Sequence, residues 1–279
     1  MQFKEMGLSD PLLDAIGSAG YENPTPIQAE AIPHLLMGRD IIGIAQTGTG
    51  KTASFTLPMI EILSTGRARA RMPRSLILEP TRELAAQVAV NFEVYGKNHK
   101  LSMALLIGGV SFSEQEDKLD RGVDVLIATP GRLLDHFERG KVLLADIKVL
   151  VLDEADRMLD MGFIPDVERI IKLLPQIRQT AMFSATMPSE IKRLTDAYMM
   201  SPRTVEVAPP ASAAETVTQG LLRVSGGFKE KRAALRSLIR ESDVNNAIVF
   251  CNRKRDVSAL EKSLRSHGFN AAGLHGDMH

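Results

Sequence analysis

The amino-acid sequence predicts an α/β fold, a doubly wound parallel sheet covered by helices. Three observations lead to this prediction. Short apolar runs recur up to residue 207, and helix-length stretches separate them, which is the spacing of βαβ units. A glycine-rich turn joins the first run to a helix-like stretch. Polar residues directly follow several runs, where parallel strands would gather them at one edge of the sheet.

The predicted strands are the apolar runs themselves. They are Ile41–Ile44, Ser75–Glu79, Met103–Ile107, Val123–Ala128, Lys148–Asp153, Thr180–Ser184 and Thr204–Val207. Two helices precede the first strand. Asp10 is the predicted N-cap of the first, with Pro11 at its first helical position and an end near Ala19. Thr25 is the predicted N-cap of the second.

The stretch Ala45–Thr52 has the pattern of a phosphate-binding P-loop. Gly48 and Gly50 permit a tight turn and a close approach to a ligand, because neither carries a Cβ. Backbone N–H groups can then point at phosphate oxygens. Lys51 adds a charge for the β- and γ-phosphates, and the Thr52 hydroxyl can bind Mg²⁺.

A dinucleotide-binding turn is the main alternative for this stretch, since Gly48–Ala53 also fits a G-x-G-x-x-A pattern. That alternative needs an acidic residue about twenty positions further on. The sequence has Arg67–Met72 there, without an acid. A P-loop requires Gly-Lys-Thr and a dinucleotide turn does not, so the sequence favours the P-loop.

The run Lys148–Asp156 is the second strong motif. Its apolar residues end in two adjacent carboxylates at the predicted carboxyl end of a strand. Asp153 can hold Mg²⁺ directly or through water, and Glu154 can position and deprotonate a water molecule. An acidic N-cap cluster for the following helix is the alternative, and the P-loop upstream makes it the weaker one.

Gln28 has two interpretations. Thr25 and Gln28 form a Thr-x-x-Gln capping box, in which the Gln28 side chain bonds the Thr25 N–H. The same amide, with its donor and acceptor, can bind an adenine edge. Spacing alone favours capping.

Three further polar stretches follow predicted strands, namely Pro80–Glu83, Thr129–Arg132 and Ser184–Thr186. Each is commonly an N-cap, but three on one edge, together with Gly108-Gly109, indicate an extended anionic ligand. A basic loop lies before the second strand and has two interpretations, a solvated loop or a contact with nucleic acid. Its members are Arg67, Arg69, Arg71 and Arg74.

The composition limits the function classes. The 34 Lys and Arg residues balance 34 Asp and Glu residues, so nucleic acid would have to be held by placed groups rather than by bulk charge. The single cysteine, Cys251, follows a strand-like run and is expected to be a small buried residue. No apolar stretch has membrane-spanning length, and no signal peptide opens the sequence. We expect a cytoplasmic protein.

These motifs, in this order, resemble those of DEAD-box RNA helicases, including Asp153-Glu154-Ala155-Asp156. Ala45 in the first P-loop position agrees with that family. The run Arg157–Phe163 resembles the bacterial RhlE-type branch. The resemblance implies an RecA-like P-loop NTPase domain, followed by an incomplete second RecA-like domain. It also implies that Gln28 binds adenine.

The resemblance further implies roles for single residues. For ATP it implies Phe3, Tyr21, Gln28, Gln46, Thr47, Gly48, Thr49, Gly50, Lys51 and Thr52. For RNA it implies Pro80, Thr81, Arg82, Gly109, Thr129, Pro130, Gly131 and Arg132, which would contact the sugar-phosphate backbone with little sequence preference. Asp156, Ser184 and Thr186 would couple hydrolysis to domain closure. The catalytic residues would be Lys51, Asp153 and Glu154, with Mg²⁺ at Thr52 and Asp153.

The domain organisation follows the same resemblance. It predicts an ATP-binding domain over residues 1–207, a linker over 208–217 rich in Ala and Pro, and the beginning of a second domain over 218–279. Strands are expected near 218–224, 247–251 and 270–274, with helices near 228–241 and 254–267. Because the family pattern continues beyond His279, we expect either a piece of a longer protein or a truncated gene product.

The function these features predict is an ATP-dependent RNA helicase, an RNA-stimulated ATPase that opens duplexes locally. The alternative is a module that binds ATP and RNA with little turnover, because motifs of the second domain are missing. DNA unwinding is a weaker alternative, which contacts with the ribose 2′-OH would exclude.

Overall fold

The structure, a computed structural model, describes residues 2–207, 218, 220–241 and 244–276. The chain divides into two compact units, Met1–Ser212 and Ala213–His279. The predicted linker, residues 208–217, lies outside the described residues. Each unit is described by itself.

The first unit contains one seven-stranded sheet in the order β3-β4-β2-β5-β6-β1-β7, with every neighbouring pair parallel. The strands are β1 (Ile41–Ile44), β2 (Ser75–Leu78), β3 (Met103–Leu106), β4 (Val125–Ala128), β5 (Val149–Leu152), β6 (Gln179–Ser184) and β7 (Arg203–Glu206). All seven predicted strands are confirmed, with bounds that move by one or two residues. The prediction of a doubly wound parallel sheet is confirmed as well.

Helices cover both faces of this sheet, which is why most strands are apolar throughout. Successive strand residues point to opposite faces. Ile77 therefore joins a hydrophobic cluster with the first four helices, while its neighbours Leu76 and Leu78 join a cluster with the next five. Charged side chains are therefore found beyond the ends of the central strands and on the edge strand β7.

The helices of the first unit alternate with its strands. They are α1 (Asp10–Ser18), α2 (Pro26–Leu36), α3 (Lys51–Leu63), α4 (Arg82–Gly96), α5 (Phe112–Arg121), α6 (Pro130–Glu138), α7 (Ala155–Asp160), α8 (Ile164–Leu173) and α9 (Ser189–Tyr198). A 3₁₀ turn, Phe3–Glu5, precedes them. No helix among the described residues is both long and apolar enough to cross a membrane.

The predicted N-cap of α1 was wrong by one residue. Ser9 occupies the cap position, and Asp10 is the first helical residue. A tertiary contact explains the shift. The Ser9 N–H and hydroxyl both donate to the Glu61 carboxylate, at 3.0 and 2.8 Å, and this holds Ser9 extended ahead of the helix.

In the second unit, α10 (Phe228–Glu241) and α11 (Lys254–Ser266) lie where the sequence predicted helices. The predicted strands near 218–224, 247–251 and 270–274 were wrong, because no described residue of these segments belongs to a strand. An extended segment becomes a strand only when its backbone groups bond to a neighbour. Phe250 is 93% exposed, and Cys251 is only partly buried.

The contact between Gly43 and Phe183 gives a test of the sheet. These residues are register partners in β1 and β6, and a Cβ on Gly43 would lie 2.5 Å from the Phe183 ring. We predict that Gly43→Ala lowers the free energy of unfolding by about 1–3 kcal/mol, because the buried ring must shift. Urea unfolding measures this change.

Gly17→Ala is the matched control for that substitution. Gly17 lies in α1, with nothing within 4 Å of an added Cβ, so the change should leave stability equal or raise it. A Gly43→Ala variant as stable as the Gly17→Ala variant would contradict the proposed packing.

Candidate functional site

The loop between β1 and α3 is a tight cradle. Gly48 and Gly50 have φ values of +84° and +91°, which favour glycine. A Cβ on Gly50 would lie 2.5 Å from Gln28 Nε2, so a larger residue there would displace the Gln28 amide. The Thr49 hydroxyl donates to the Gln46 carbonyl at 2.7 Å and closes the turn. The loop therefore has the glycine geometry that a P-loop needs.

Gln28 forms the capping contact and a second contact that capping alone does not predict. Its Oε1 accepts from the Thr25 N–H at 2.9 Å, and its Nε2 donates to the Gly50 carbonyl at 3.1 Å. The side chain thus joins the start of α2 to the P-loop. One N–H and one lone pair of the amide remain for a ligand, and the adenine contact stays a prediction.

The two carboxylates that follow β5 face this loop. Lys51 Nζ lies 2.7 Å from Glu154 Oε1, and both side chains are largely buried. Glu154 precedes α7 with a φ of +51°, yet its side chain makes no capping hydrogen bond. Asp153 Oδ1 accepts from the Glu154 N–H at 2.9 Å. The side chain of Glu154 therefore pairs with the P-loop lysine instead of capping the helix.

A third carboxylate, Glu79, lies beside them and was missed as a site residue. Leu78 and Leu152 are register partners, so the next residues, Glu79 and Asp153, stand side by side at the strand ends. Glu79 is 0% exposed, and neither of its carboxylate oxygens has a hydrogen-bond donor among the described residues.

Burial shifts both of these acids in the same direction. It raises the pKa of Asp153 to about 7, an effect that Lys51 opposes and Glu154 increases. Burial, followed by the charges of Asp153 and Glu154, raises the pKa of Glu79 well above its ordinary value. Two neighbouring carboxyls in this position favour sharing a proton over carrying two charges.

A cavity of about 340 Å³ connects these groups. Among the predicted nucleotide contacts, it is lined by Tyr21, Gln28, Thr47, Gly48, Gly50, Lys51 and Thr52. Phe3 is buried in the hydrophobic cluster instead, and Gln46 and Thr49 shape the loop without lining the cavity. For these three residues, a nucleotide contact stays a prediction.

One wall of the cavity comes from α4, which the sequence analysis did not assign to the site. It consists of Leu84, Gln87, Val88, Asn91 and Tyr95. These positions recur every three or four residues and so share one helix face. That periodicity was a usable signal, but it did not distinguish a cavity wall from ordinary core packing.

The oxygen donors of the cavity fit Mg²⁺ that arrives with a nucleotide. Thr52 and Asp153 line it together, and Mg²⁺ is bound through one or two carboxylates, phosphate oxygens and retained waters. No trio of His, Cys, Asp or Glu among the described residues forms a metal cage on its own. The site fits a cation completed by phosphate and water.

The predicted coupling residues are joined by hydrogen bonds. The Thr186 N–H and hydroxyl both donate to Asp156 Oδ2 at 2.9 Å. The Asp156 N–H donates to Ser184 Oγ at 3.1 Å. Because Ser184 ends β6 and Asp156 lies in the first turn of α7, this network links the strand next to β1 with the helix that follows Glu154.

A second group of polar residues lies at the carboxyl ends of β2, β3 and β4, on the same edge of the sheet. Thr81 caps α4 by accepting from the Leu84 N–H at 3.3 Å. Arg82 Nη1 donates to the Gly108 carbonyl at 3.3 Å, and Gly109 has a φ of +80°. Thr129 is the N-cap residue of α6 and makes no side-chain capping bond. The structure thus places two of the three predicted polar stretches, Pro80–Glu83 and Thr129–Arg132, beside the Gly108-Gly109 turn, while the third, Ser184–Thr186, follows β6.

The comparisons with known proteins agree with this geometry. The family model described as DEAD/DEAH box helicase matches residues 25–194. The chain belongs to the DEAD/DEAH box helicase family. Solved structures similar to this DEAD box chain include a DEAD box protein from the hyperthermophile Methanococcus jannaschii, with a TM-score of 0.70 and 39% identity, covering 100% of this chain and 74% of that one.

Curated relatives of this DEAD box chain include two bacterial proteins. The "ATP-dependent RNA helicase CshA" of Limosilactobacillus reuteri is 46% identical over 100% of this chain and 55% of its own length. The "ATP-dependent RNA helicase DeaD" of Escherichia coli K12 is 43% identical over 99% and 43%. The chain therefore spans about half the length of the curated relatives it matches. Membership of an RhlE-type branch stays a prediction.

Arg132 of this DEAD box chain is held by contacts that its motif does not show. Its Nε donates to Gln115 Oε1 at 3.1 Å, and its guanidinium lies 3.4 Å from the centre of the Phe112 ring. Gln115 also bonds the His136 ring at 2.8 Å. Contacts with Gln115 and Phe112 of α5 therefore fix the orientation of the Arg132 side chain. The spacing of residues in the sequence did not indicate these contacts.

The basic loop divides into structural and exposed members. Arg74 is buried and pairs with Asp124 at 2.9 Å, and it also donates to the Leu63 carbonyl. Both predicted interpretations, solvent exposure and nucleic-acid contact, are wrong for Arg74. Arg67 and Arg69 are exposed, and a nucleic-acid contact there stays a prediction.

The raised pKa of Asp153 predicts a pH dependence of stability. An unfolded Asp titrates near 3.9, so the folded form binds more protons between about pH 4 and 7. In this range the contribution of Asp153 to the free energy of unfolding falls as the pH rises. Asp153→Asn removes the contribution, and we expect a shallower fall, measured by urea unfolding at a series of pH values without nucleotide or divalent cations.

Asp120→Asn is the control, because Asp120 is exposed on α5. It should retain the slope of the wild type. An Asp153→Asn variant with an unchanged slope would show that the carboxyl is not held in its protonated form by the site.

Proposed function

We propose that the chain is the ATP- and RNA-binding part of an ATP-dependent RNA helicase. The observation that carries this proposal is the Lys51–Glu154 pair, a P-loop lysine bonded at 2.7 Å to the carboxylate after β5. The cavity that contains this pair opens beside the polar groups at the carboxyl ends of β2, β3 and β4 in the same sheet. The printed names of the relatives support the same activity.

In this proposal ATP enters the cavity with its adenine near Gln28 and its phosphates on the P-loop. Lys51 breaks its pair with Glu154 and binds a phosphate oxygen instead. The Glu154 carboxylate is then free to accept a proton from the attacking water. Thr52 and Asp153 would hold Mg²⁺, partly through water, and the bound ion would supply positive charge to neutralise the phosphates.

The RNA occupies the edge formed by the ends of β2, β3 and β4. Arg82, the Thr81 cap and the loop at Gly109 would contact the sugar-phosphate backbone, as would Thr129–Arg132. Contacts of this kind fix the position of a strand but do not read its bases. We therefore propose little sequence preference.

Coupling between the two ligands would run through Asp156, Ser184 and Thr186. Their hydrogen bonds connect β6 and α7, which flank the P-loop and the catalytic carboxylates. The proposed domains are residues 1–207 and 218–279, with a linker between them, and unwinding would require closure of two complete domains around ATP.

A binding module with little turnover is the second candidate function. One observation favours it for this chain, since the second unit has no strand among its described residues. Arginine residues from a partner domain contribute about 10³–10⁵ in rate in related phosphoryl transfer.

ATP turnover with and without single-stranded RNA tests the proposal. We expect the chain to bind ATP and to hydrolyse it faster with RNA. Glu154→Gln should retain ATP binding but lose about 10²–10⁴ in turnover, because the proton acceptor is gone. Lys51→Ala is the control in which binding itself is weakened.

The outcomes separate the two functions. ATP binding without RNA-stimulated turnover in the wild type would support the binding module. A wild-type chain that binds no ATP would contradict both.

Arg82→Ala tests the RNA edge. Arg82 is exposed and anchored on Gly108, and removing one phosphate contact should weaken RNA binding to a similar degree for different sequences. In a plot of the logarithm of the association constant against the logarithm of the salt concentration, the slope should become less steep by about 0.7 for a single strand. Fluorescence anisotropy with two unrelated RNAs at several salt concentrations measures both effects.

Arg203→Ala is the matched control, because Arg203 is exposed at the amino end of β7, away from this edge. It should leave the RNA affinity unchanged. Equal losses in the two variants would indicate a general charge effect and contradict a specific contact.

A further inference from the structure

Glu79 is the buried polar group that the proposed mechanism leaves unexplained. Glu79 is 0% exposed, and among the described residues neither of its carboxylate oxygens accepts a hydrogen bond from an N–H or a hydroxyl group, whereas buried polar atoms in proteins nearly always have a donor. The polar group beside it is the carboxyl of Asp153, with which it can bond only by sharing a proton. Glu79 also lines the nucleotide cavity. A buried carboxylate that faces a cavity and has only another acid beside it indicates that its partner is a ligand.

The charges around Glu79 indicate a cationic ligand. Glu79, Asp153 and Glu154 supply three carboxylates to the cavity, and Lys51 supplies the only amine in its lining. That lysine already bonds Glu154, and it is the group that the proposed function moves to a phosphate. Glu79 and Asp153 then remain side by side without a cation.

We propose that Glu79 is a positioning carboxylate of the divalent-cation subsite, and that it accepts hydrogen bonds from water bound to the cation. This inference rests on the proposed ATP and Mg²⁺ function. Direct coordination is not required, since Mg²⁺ usually keeps several waters and no trio of acidic side chains in the described residues forms a closed metal cage.

A purely structural role does not explain the residue. Glu79 makes no bond that holds a loop or a helix end, and its N–H alone continues the sheet by donating to the Ala128 carbonyl at 3.0 Å. The three preceding strand residues are apolar and buried. An apolar residue would satisfy packing here without the cost of burying a carboxylate.

The test measures the dissociation constant of the fluorescent nucleotide mant-ADP in Mg²⁺ and in EDTA. The ratio of the EDTA value to the Mg²⁺ value reports how strongly the cation assists the nucleotide. Glu79→Gln removes the charge at equal size, and Glu79→Met gives an apolar side chain of similar volume. We expect both variants to bind mant-ADP in EDTA no more weakly than the wild type.

The ratio itself should fall about tenfold or more in both variants, the size typical of a lost outer-shell partner. Glu93→Gln is the matched control, since Glu93 is exposed on α4, and it should keep the wild-type ratio. A structural role would instead weaken binding equally in Mg²⁺ and EDTA and leave the ratio unchanged.

An unchanged ratio in variants of a wild type that responds to Mg²⁺ would overturn this inference alone. A wild type that binds mant-ADP equally well in Mg²⁺ and EDTA would overturn it too, because no cation subsite would exist. A wild type that binds no mant-ADP would overturn the proposed function and this inference with it.

Discussion

The burial of a parallel sheet on both faces is the constraint on which the first unit depends. Residues within the strands must be apolar towards helices on either side, as Ile77 and Leu76 are towards opposite clusters. The charged groups of the four central strands β2, β5, β6 and β1 therefore lie beyond the strand ends. Parallel direction places the carboxyl ends together, so the chemistry of the whole unit gathers along one edge.

Charge balance then determines how that edge works. One lysine, Lys51, faces three carboxylates, and it bonds only Glu154. Burial raises the pKa values of Glu79 and Asp153, which form no ion pair among the described residues. A nucleotide that brings a divalent cation would supply a phosphate to replace Glu154 as the partner of Lys51, and a cation for these two acids.

Much of this arrangement was predictable from short-range patterns. Most strands read as short apolar runs, and all seven strands were found, although the edge strand β7 has three exposed residues. Positive φ at Gly48 and Gly50 follows from the P-loop spacing. Contacts between distant segments were not predictable. The Ser9 cap depends on Glu61, Arg74 forms a buried pair with Asp124, and no described residue of the second unit belongs to a strand.

The sequence by itself determined the fold class, the order of the strands along the chain, and the residue types at each strand end. Only the tertiary structure decided which ends become neighbours. Glu79 and Asp153 are separated by three helices, two further strands and more than seventy residues, yet adjacent parallel strands bring them side by side. Strand pairing joins segments by backbone hydrogen bonds. The side-chain pattern of a segment therefore does not show which other segment it pairs with.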